Sequence, residues 1–206
     1  MKIICFIICL CSLIVCTGYS QTVHHKKYTT YFNQTLHEPD SVSWDLIPGQ
    51  LLCNKHFART NKFTADPKIN GTALSSDYKK SGYDQGHQMP AQDNTCDSIG
   101  QVECFFFSNM VPQTPELNRI TWKALETHCR NVSDTCNLHI ICGVIGSLGT
   151  IGKDKVNIPA YCYKAIYNGR YWECYIMPNT ASVKQYNFSH YIVSKEDLNK
   201  ATGLKL

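Results

Sequence analysis

The sequence predicts a mixed α+β fold in which a largely antiparallel sheet is flanked by helices. Short apolar, strand-like runs alternate with turns along most of the chain, and two stretches carry helix signals. The chain has 206 residues, 43% of them hydrophobic, and contains no linker-like tract. These properties suit one compact domain with an ordinary apolar core.

Five runs carry strand signals: residues 51–57, 104–108, 138–145, 161–167 and 171–177. The last two flank Asn168-Gly169, which is a strong signal for a two-residue hairpin turn. Direct pairing across that turn would match Cys162 with Tyr175. In that register Cys162 and Cys174 point to opposite faces of the sheet, so they are not expected to form a disulfide.

Two helices are predicted. The first covers residues 117–126, follows Pro115, and carries apolar residues on one side at helical spacing. These residues are Trp122, Leu125 and Cys129. The second begins at Ser194, which is a favourable N-cap residue with Asp197 three positions later.

Residues 1–20 have the layout of a secretory signal, with a positive start, an apolar run from position 3 to 15, and small residues before the cleavage point. The run is too short to span a bilayer comfortably. We therefore expect cleavage near Ser20, a secreted or periplasmic location, and no stable membrane insertion. Lipoprotein processing at Cys16 is the less favoured alternative. Residues 21–206 are then one domain, and residues 21–40 are predicted to be a solvated, mobile tail.

Four of the twelve cysteines lie in this leader. The other eight are Cys53, Cys96, Cys104, Cys129, Cys136, Cys142, Cys162 and Cys174. An even number in an exported chain favours disulfides, with buried free thiols as the alternative. Short loops favour the pairs Cys129–Cys136 first and Cys96–Cys104 second. No Cys-x-x-Cys pair occurs, so no structural zinc site is expected.

Most chemistry-bearing residues lie between positions 81 and 126. Gly86-His87 is followed about twenty residues later by an apolar run that ends at Asn109, and then by a helix that opens with Asn118. A histidine after a glycine, a strand ending in Asn, and a helix opening with Asn follow the order of a ββα-metal finger. The formal net charge of +4 permits a polyanionic substrate without demanding one.

Phosphodiester hydrolysis explains why these residue types belong together. A neutral imidazole can take a proton from water near pH 7. A divalent ion can bind a phosphate oxygen and the leaving oxygen, and Mg²⁺ keeps most of its waters, so one Asn carbonyl can be its only protein ligand. An arginine can clamp the phosphate with two donors. His87, Asn118, Arg59 and the acid Glu126 supply these groups.

The spacing of the helix residues separates two of these roles. In a regular α-helix Asn118 and Glu126 lie about 12 Å apart along the axis and differ by roughly 80° around it. Direct ligation of one ion by both is therefore awkward. Glu126 is better placed to accept a hydrogen bond from a metal-bound water.

These segments resemble the DNA/RNA non-specific endonuclease family of the ββα-metal (His-Me finger) superfamily, from about residue 59 to about residue 159. The matching motifs are Arg59-x-x-x-Phe63, Asp77-Tyr78, Ser81-Gly82-Tyr83-Asp84, Gly86-His87, Ser108-Asn109-x-x-Pro112-Gln113, Asn118-Arg119-x-x-Trp122-x-x-Leu125-Glu126, Gly146-Ser147-Leu148-Gly149 and Val156-x-x-Pro159. Several separate motifs in the same order make a coincidence improbable.

The resemblance implies a Mg²⁺-dependent endonuclease, with Mn²⁺ able to substitute, that cuts DNA and RNA without sequence preference. It assigns the general base to His87 and the direct metal contact to Asn118, while Glu126 holds the metal's water shell. Asn109 would orient His87 or substrate, and Arg59 would contact the scissile phosphate.

One position departs from the family pattern. The family usually has Asp-Arg-Gly-His, whereas this chain has Asp84-Gln85-Gly86-His87. Gln85 can donate only neutral hydrogen bonds, which are about half as strong as charge-assisted ones. Gln85 and Arg119 are predicted to contact substrate, and a weaker or more metal-reliant enzyme is expected.

Two alternatives stay open, each on the same scaffold, and only the first is motivated by Gln85. One is a nucleic-acid-binding module with little turnover, and the other is an extracellular interaction protein. An inhibitor protein and the oligomeric state are left open by the sequence.

Overall fold

A central sheet organises the computed structural model, which describes residues 20–206. The strands are β1 (Ser20–His24), β2 (Thr29–Asn33), β3 (Glu38–Leu46), β4 (Asp84–His87), β5 (Met110–Gln113), β6 (Leu138–Ile145), β7 (Thr150–Ile151), β8 (Val156–Asn157), β9 (Tyr161–Tyr167), β10 (Trp172–Pro178) and β11 (Ile192–Val193). The α-helices are α1 (Ser75–Tyr78), α2 (Ser98–Glu103), α3 (Lys123–Ser133) and α4 (Lys195–Thr202). A π-helical segment (Leu117–Trp122) leads directly into α3.

Seven strands form the main sheet in the order β1-β2-β3-β6-β9-β10-β11, and each neighbouring pair is antiparallel. Strands β4 and β5 form a separate antiparallel ribbon, as do β7 and β8. The ribbon β4-β5, followed by the π-helical segment and α3, forms the predicted ββα finger, but its second strand begins at Met110, after Asn109, and does not end there as predicted. The predicted α+β class and largely antiparallel sheet are confirmed.

The largest apolar core lies between the finger and one face of the main sheet. The finger contributes Val111, Leu117, Trp122, Leu125 and Cys129, and the sheet contributes Leu46, Ile140, Cys142, Cys162 and Ile166. The opposite face packs against α4 through the buried Leu198. The finger is therefore held rigidly on the sheet, with its other side turned toward solvent.

Both predicted helices are present, and the first is longer than its sequence signal. It continues to Ser133, and its three predicted core residues are at most 2% exposed. The second is α4, whose cap has the predicted form, because Asp197 donates its backbone N–H to the Ser194 hydroxyl at 3.0 Å.

The predicted hairpin forms with a longer turn. Tyr167 pairs with Trp172, so the connection has four residues, and Asn168 Oδ1 accepts the backbone N–H groups of Arg170 and Tyr171. The predicted pairing of Cys162 was wrong by two positions, since its partner is Met177. A shift of two residues preserves the faces. The cysteine of β9 and that of β10 therefore do lie on opposite sides of the sheet.

The N-terminal prediction was wrong where the structure can be compared with it. Residues 21–40 are not a mobile tail, since β1 and β2 form a hairpin that joins β3 in the main sheet. Phe32 is fully buried, and the buried His25 places Nε2 2.9 Å from Asp66 Oδ2. The average polarity of this segment conceals a few inward-facing side chains, which are sufficient to anchor it.

Of the predicted leader, only Ser20 lies within the described residues, where it opens β1. Cleavage near Ser20 and the lipoprotein alternative at Cys16 therefore stay predictions. Among residues 20–206, no helix has the length and apolar character needed to cross a bilayer.

Two predicted strands are not formed. Residues 51–57 belong to an irregular loop in which Leu52 is 83% exposed. Residues 104–108 are largely buried but follow a tight turn, where Phe105 and Phe106 donate backbone hydrogen bonds three residues back. A short apolar run indicates that a segment is buried, but it does not show which backbone conformation the segment adopts. Both a buried strand and a buried turn can contain such a run.

Both predicted disulfides were wrong. The structure pairs Cys53 with Cys96, which are 43 residues apart, and Cys129, Cys136 and Cys104 are free thiols. Cys129 faces the core from α3, so a short loop to Cys136 does not bring the two sulfurs together. The alternative of buried free thiols therefore holds for most of the described cysteines.

Candidate active site

The exposed side of the ββα finger forms one wall of a cleft of about 420 Å³. The cleft is lined by Arg59, Gln85, His87, Pro90, Ala91, Gln92, Asn118, Arg119, Lys123 and Glu126. Six of the seven predicted site residues thus meet in one space, and the exception is Asn109. They come from the loop before α1, from β4, and from the helix, so only the folded chain brings them together.

The last residue of β4, His87, is held at the bottom of this cleft. Its backbone carbonyl accepts a hydrogen bond from Trp122 Nε1 at 3.3 Å, and its ring meets Phe63 and Phe105 edge-on at 5.6 and 4.9 Å between centroids. Burial lowers the pKa of His87 to about 3, and the charge of Arg59 contributes in the same direction. The imidazole is therefore neutral at pH 7, while the same burial and the Arg59 charge weaken it as a base until a bound anion offsets them.

The π-helical segment presents Asn118 with its amide already oriented. Asn118 Nδ2 donates to Asp84 Oδ2 at 2.9 Å, while Arg119 donates two hydrogen bonds to the same carboxylate at 2.7 and 2.6 Å. Partial burial opposes ionisation of Asp84, but the hydrogen bonds from Arg119 and Asn118 outweigh it and lower the pKa. Because the amide nitrogen is engaged, the carbonyl oxygen of Asn118 is left for a ligand.

This role of Asp84 was not identified from the sequence, although the residue opens the Asp-Gln-Gly-His motif. Its partners lie 34 and 35 residues further along the chain. A carboxylate at the start of a short strand could equally have been a solvated surface charge. Only the approach of β4 to the helix shows which side chains it holds.

Asn109 does not line the cleft. It is fully buried, and its amide bonds only backbone groups: Nδ2 donates to the carbonyls of Met89 and Cys104, and Oδ1 accepts the N–H of Met89. Asn109 therefore fixes the chain two residues after His87. No hydrogen bond joins its side chain to the His87 ring in the described part of the chain.

Glu126 shares the cleft with Asn118 although the two are eight positions apart in the sequence. The azimuth expected from a regular α-helix does not apply, because a π-helix closes its hydrogen bonds over five residues and each residue turns through a smaller angle. Burial raises the pKa of Glu126 to about 7, and the nearby Lys164 ammonium partly opposes this. Burial therefore disfavours the ionised form of the Glu126 carboxyl.

We expect Glu126→Gln to be more stable than the wild type at pH 8 in EDTA, by at most about 3 kcal/mol. A carboxyl whose pKa is 4.5 unfolded and about 7 folded loses stability as the pH rises through that interval, and Gln cannot titrate. Urea unfolding at pH 4 and pH 8 measures the difference, and Glu196→Gln, on the exposed side of α4, is the control. An equal difference at both pH values would contradict burial as the cause.

The rim of the cleft is positively charged. The Arg59 guanidinium lies 4.9 Å from the centroid of the Phe105 ring and donates Nε to Asn61 Oδ1 at 2.7 Å. Arg119 and Lys123 are exposed on the helix across the cleft. Cations on two sides of a concave site favour an anionic ligand.

Lys164 lies beneath the site and was not singled out in the sequence. It is fully buried, and its Nζ, which has no hydrogen-bond partner among residues 20–206, lies 4.4 Å from the ring centroid of Trp122 and 5.2 Å from that of Trp44. Trp122 is the residue that bonds the His87 carbonyl. The strand pattern could have indicated that Lys164 is buried. It lies two positions from Cys162 and from Ile166, which face the core from the same side of β9.

Gly86 is required by a close approach within the β4-β5 ribbon. A Cβ at this position would lie 2.5 Å from Cδ and 2.7 Å from Cγ of Gln113, which is fully buried and cannot easily move. We expect Gly86→Ala to destabilise the protein by about 1–3 kcal/mol, the range for overpacking. Thermal or urea unfolding measures this.

The double variant Gly86→Ala/Gln113→Ala is the matched test, because it removes the side chain that the new methyl group meets. Gly86→Ala should cost less stability in the Gln113→Ala background than in the wild type. An equal cost in both backgrounds would mean that steric overlap with Gln113 is not the reason for glycine at position 86.

The chain is similar to known proteins both in sequence and in structure. A family model described as DNA/RNA non-specific endonuclease matches residues 14–206. The chain is 30% identical over 195 residues to the mitochondrial nuclease EXOG of Danio rerio, covering 84% of this chain and 57% of that protein. It is 34% identical over 144 residues to a nuclease of Nostoc sp., covering 68% and 52%. The chain spans about half the length of these curated relatives.

Among solved structures, the crystal structure of the EndoG/EndoGI complex, determined to explain the inhibition of EndoG, matches with a TM-score of 0.84 and 26% sequence identity. The match covers 92% of this chain and 86% of that chain. The architecture described above is therefore similar to that of the EndoG structure.

Proposed function

Because this chain belongs to the DNA/RNA non-specific endonuclease family, we propose that it hydrolyses phosphodiester bonds in DNA and RNA without sequence preference. One observation carries the proposal. A neutral His87 and an amide-oriented Asn118 line the same cleft, whose rim carries Arg59 and Arg119.

A single divalent cation fits the donor set of this cleft. The Asn118 amide has its nitrogen bound to Asp84, which leaves an oxygen ligand of the kind that Mg²⁺ prefers, and Glu126 can accept from the waters that Mg²⁺ retains. We propose Mg²⁺, with Mn²⁺ able to substitute. When bound, the cation supplies Lewis-acid stabilisation of the negative charge on the phosphate and the leaving oxygen.

The chain's own residues supply the remaining functions. His87 accepts the proton of the attacking water, since it lines the cleft and its Nε2 has no hydrogen-bond partner among the described residues. A phosphate bound beside Arg59 offsets the charge that weakens this base. Arg59 and Arg119 neutralise the phosphates, and Gln85 donates neutral hydrogen bonds where relatives carry arginine. Contacts to phosphates carry no base information, which accounts for the lack of sequence preference.

Asn109 is proposed as a positioning residue rather than one that touches substrate. Its three hydrogen bonds fix the backbone that follows β4, and through that backbone they set the direction of the His87 ring. This role replaces direct orientation of the ring or of substrate.

Export to a secreted or periplasmic location is also a proposal. The apolar N-terminal run motivates it, and the Cys53–Cys96 disulfide is the kind of bond that persists in oxidising compartments. Secretion of the protein from cells that express the full chain, with the mature N-terminus near Ser20, is the expected result. Retention of the uncleaved chain inside the cell would contradict it.

The function is tested by incubating the purified protein with supercoiled plasmid and with RNA in Mg²⁺, in Mn²⁺ and in EDTA. We expect both substrates to be cut in either metal and neither in EDTA. Intact substrates that are nevertheless bound tightly and in a salt-sensitive manner would favour the binding-module alternative, which Gln85 motivates. Neither cutting nor binding would favour the interaction-protein alternative.

A further inference from the structure

A second cluster of metal-ligating side chains lies outside the catalytic cleft. It consists of Cys53, His56 and Cys96, and their three potential ligand atoms all lie within 4.8 Å of one another. Cys53 and Cys96 form the disulfide and are half-buried, while His56 is exposed. Nothing in the proposed hydrolysis uses these residues. We call them the clasp.

The separation of the sulfur and nitrogen atoms matches a tetrahedral zinc site. Zn–S bonds of about 2.3 Å and Zn–N bonds of about 2.0 Å, at the tetrahedral angle, place the two ligand atoms roughly 3.6 Å apart. Cys53 Sγ lies 3.7 Å from His56 Nδ1. The Cys-x-x-His spacing achieves this without the Cys-x-x-Cys pair on which the sequence-based expectation depended.

The two sulfurs reach zinc spacing once their bond is reduced. Two thiolates on one tetrahedral zinc lie roughly 3.8 Å apart, which is close to the distance at which unbonded sulfur atoms come into contact. Cys53 lies in the irregular, exposed loop of residues 51–57, so a displacement of this size requires no change in a strand or helix.

A backbone contact keeps the ligands together independently of the disulfide. The N–H of Phe57 donates to the carbonyl of Thr95 at 2.7 Å. Phe57 follows His56 and Thr95 precedes Cys96, so this hydrogen bond joins the two chain segments that carry the ligands. Reduction therefore leaves His56 beside Cys96.

We propose that reduction converts the clasp into a binding site for Zn²⁺, separate from the cation site at Asn118. A dithiol or phosphine reductant supplies two electrons and is itself oxidised, and the disulfide becomes two thiols. Zn²⁺ then binds both thiolates and the imidazole with release of two protons, and water completes the tetrahedron. Thiolates are soft ligands that select Zn²⁺ over Mg²⁺.

The clasp lies between two segments that lead to the catalytic cleft, so zinc bound there would connect them. The loop that begins at Cys53 continues to Arg59, and Cys96 follows a 3₁₀ turn (Ala91–Asn94) whose Ala91 lines the catalytic cleft. The clasp therefore joins two edges of that cleft. Zinc would preserve this connection in a reducing environment, where the disulfide is lost.

The test is a titration of the full protein with Co²⁺, with and without prior reduction by a phosphine, followed by addition of Zn²⁺. Co²⁺ bound by thiolates absorbs in the near ultraviolet and, when tetrahedral, strongly in the visible. We expect one equivalent with both signatures in the reduced protein, none in the oxidised protein, and bleaching by Zn²⁺. Binding at Asn118 gives no sulfur-to-metal band, so the two sites are distinguished.

Variants assign the signal to the clasp. We expect His56→Ala and Cys96→Ser each to weaken reduced-state Co²⁺ binding at least about tenfold, because even loss of an indirect partner of a metal ligand costs 10–100-fold. Cys136→Ser, which removes a half-buried free thiol elsewhere, should bind normally. His56 is exposed, so its variant is expected to fold. No thiolate band in the reduced wild type, or an undiminished band in His56→Ala, would overturn the proposal.

Discussion

Replacing His87 with alanine should lower the rate of plasmid and RNA cutting by about 10²–10⁴-fold, the contribution typical of a positioned general base. The reason is geometric, because His87 is the histidine that lines the cleft, and its burial keeps it neutral. Affinity for nucleic acid should change little, since Arg59 and Arg119 remain. Initial cutting rates and fluorescence anisotropy in Ca²⁺ measure the two effects.

His139→Ala is the matched control. This histidine is exposed on β6, where it pairs with Asp45 at 2.7 Å. Its loss should leave the cutting rate unchanged. A His87→Ala protein that retains more than a tenth of the wild-type rate would mean that another group accepts the proton. A variant that also loses nucleic-acid binding would indicate a collapsed cleft instead.

Replacing Asp84 with alanine should raise the Mg²⁺ concentration needed for half-maximal cutting by about 10–100-fold. Asp84 holds the Asn118 amide so that its oxygen is left for the cation, and without that contact the amide can rotate. The change should be largest at low Mg²⁺ and should diminish at saturation. Cutting rates over a Mg²⁺ titration measure this.

Arg119→Gln separates the two contacts of Asp84. It removes the bidentate ion pair but leaves the hydrogen bond from Asn118 in place. We therefore expect weaker substrate binding with a smaller change in the Mg²⁺ requirement. An unchanged Mg²⁺ requirement in Asp84→Ala, or an equal change in Arg119→Gln, would exclude orientation of Asn118 as the role of Asp84.

Several features could be predicted from the sequence because their signals are local. The helix of the finger follows from the periodicity of Trp122, Leu125 and Cys129, and the start of α4 follows from Ser194. The two-residue period of strands explains why an incorrect register still placed Cys162 and Cys174 on opposite faces. The family motifs predicted six residues that do meet in the cleft: five lie on β4 or the helix of the finger, and Arg59 lies in the loop before α1.

Other features depend on contacts between distant parts of the chain. The disulfide joins cysteines 43 residues apart, so loop length, which favoured nearby cysteines, selected the wrong pairs. Asparagine is a residue type often found in active sites, but Asn109 is buried and its side chain bonds only backbone groups. Residues 21–40 are polar on average, and this composition did not indicate the few buried side chains that anchor β1 and β2 in the sheet.

The sequence by itself determined the class of fold, the finger, and the residues that form the candidate centre, because periodicity and motif order are properties of neighbouring residues. Only the tertiary structure decided what each side chain touches. It placed Asp84 against Asn118, stacked the Lys164 ammonium between Trp44 and Trp122, and brought His56 to Cys53 and Cys96. Hydrogen bonds, cation–π contacts and metal-ligand geometry depend on distances of a few ångströms, and such distances between separate segments are set by the packing of the whole chain.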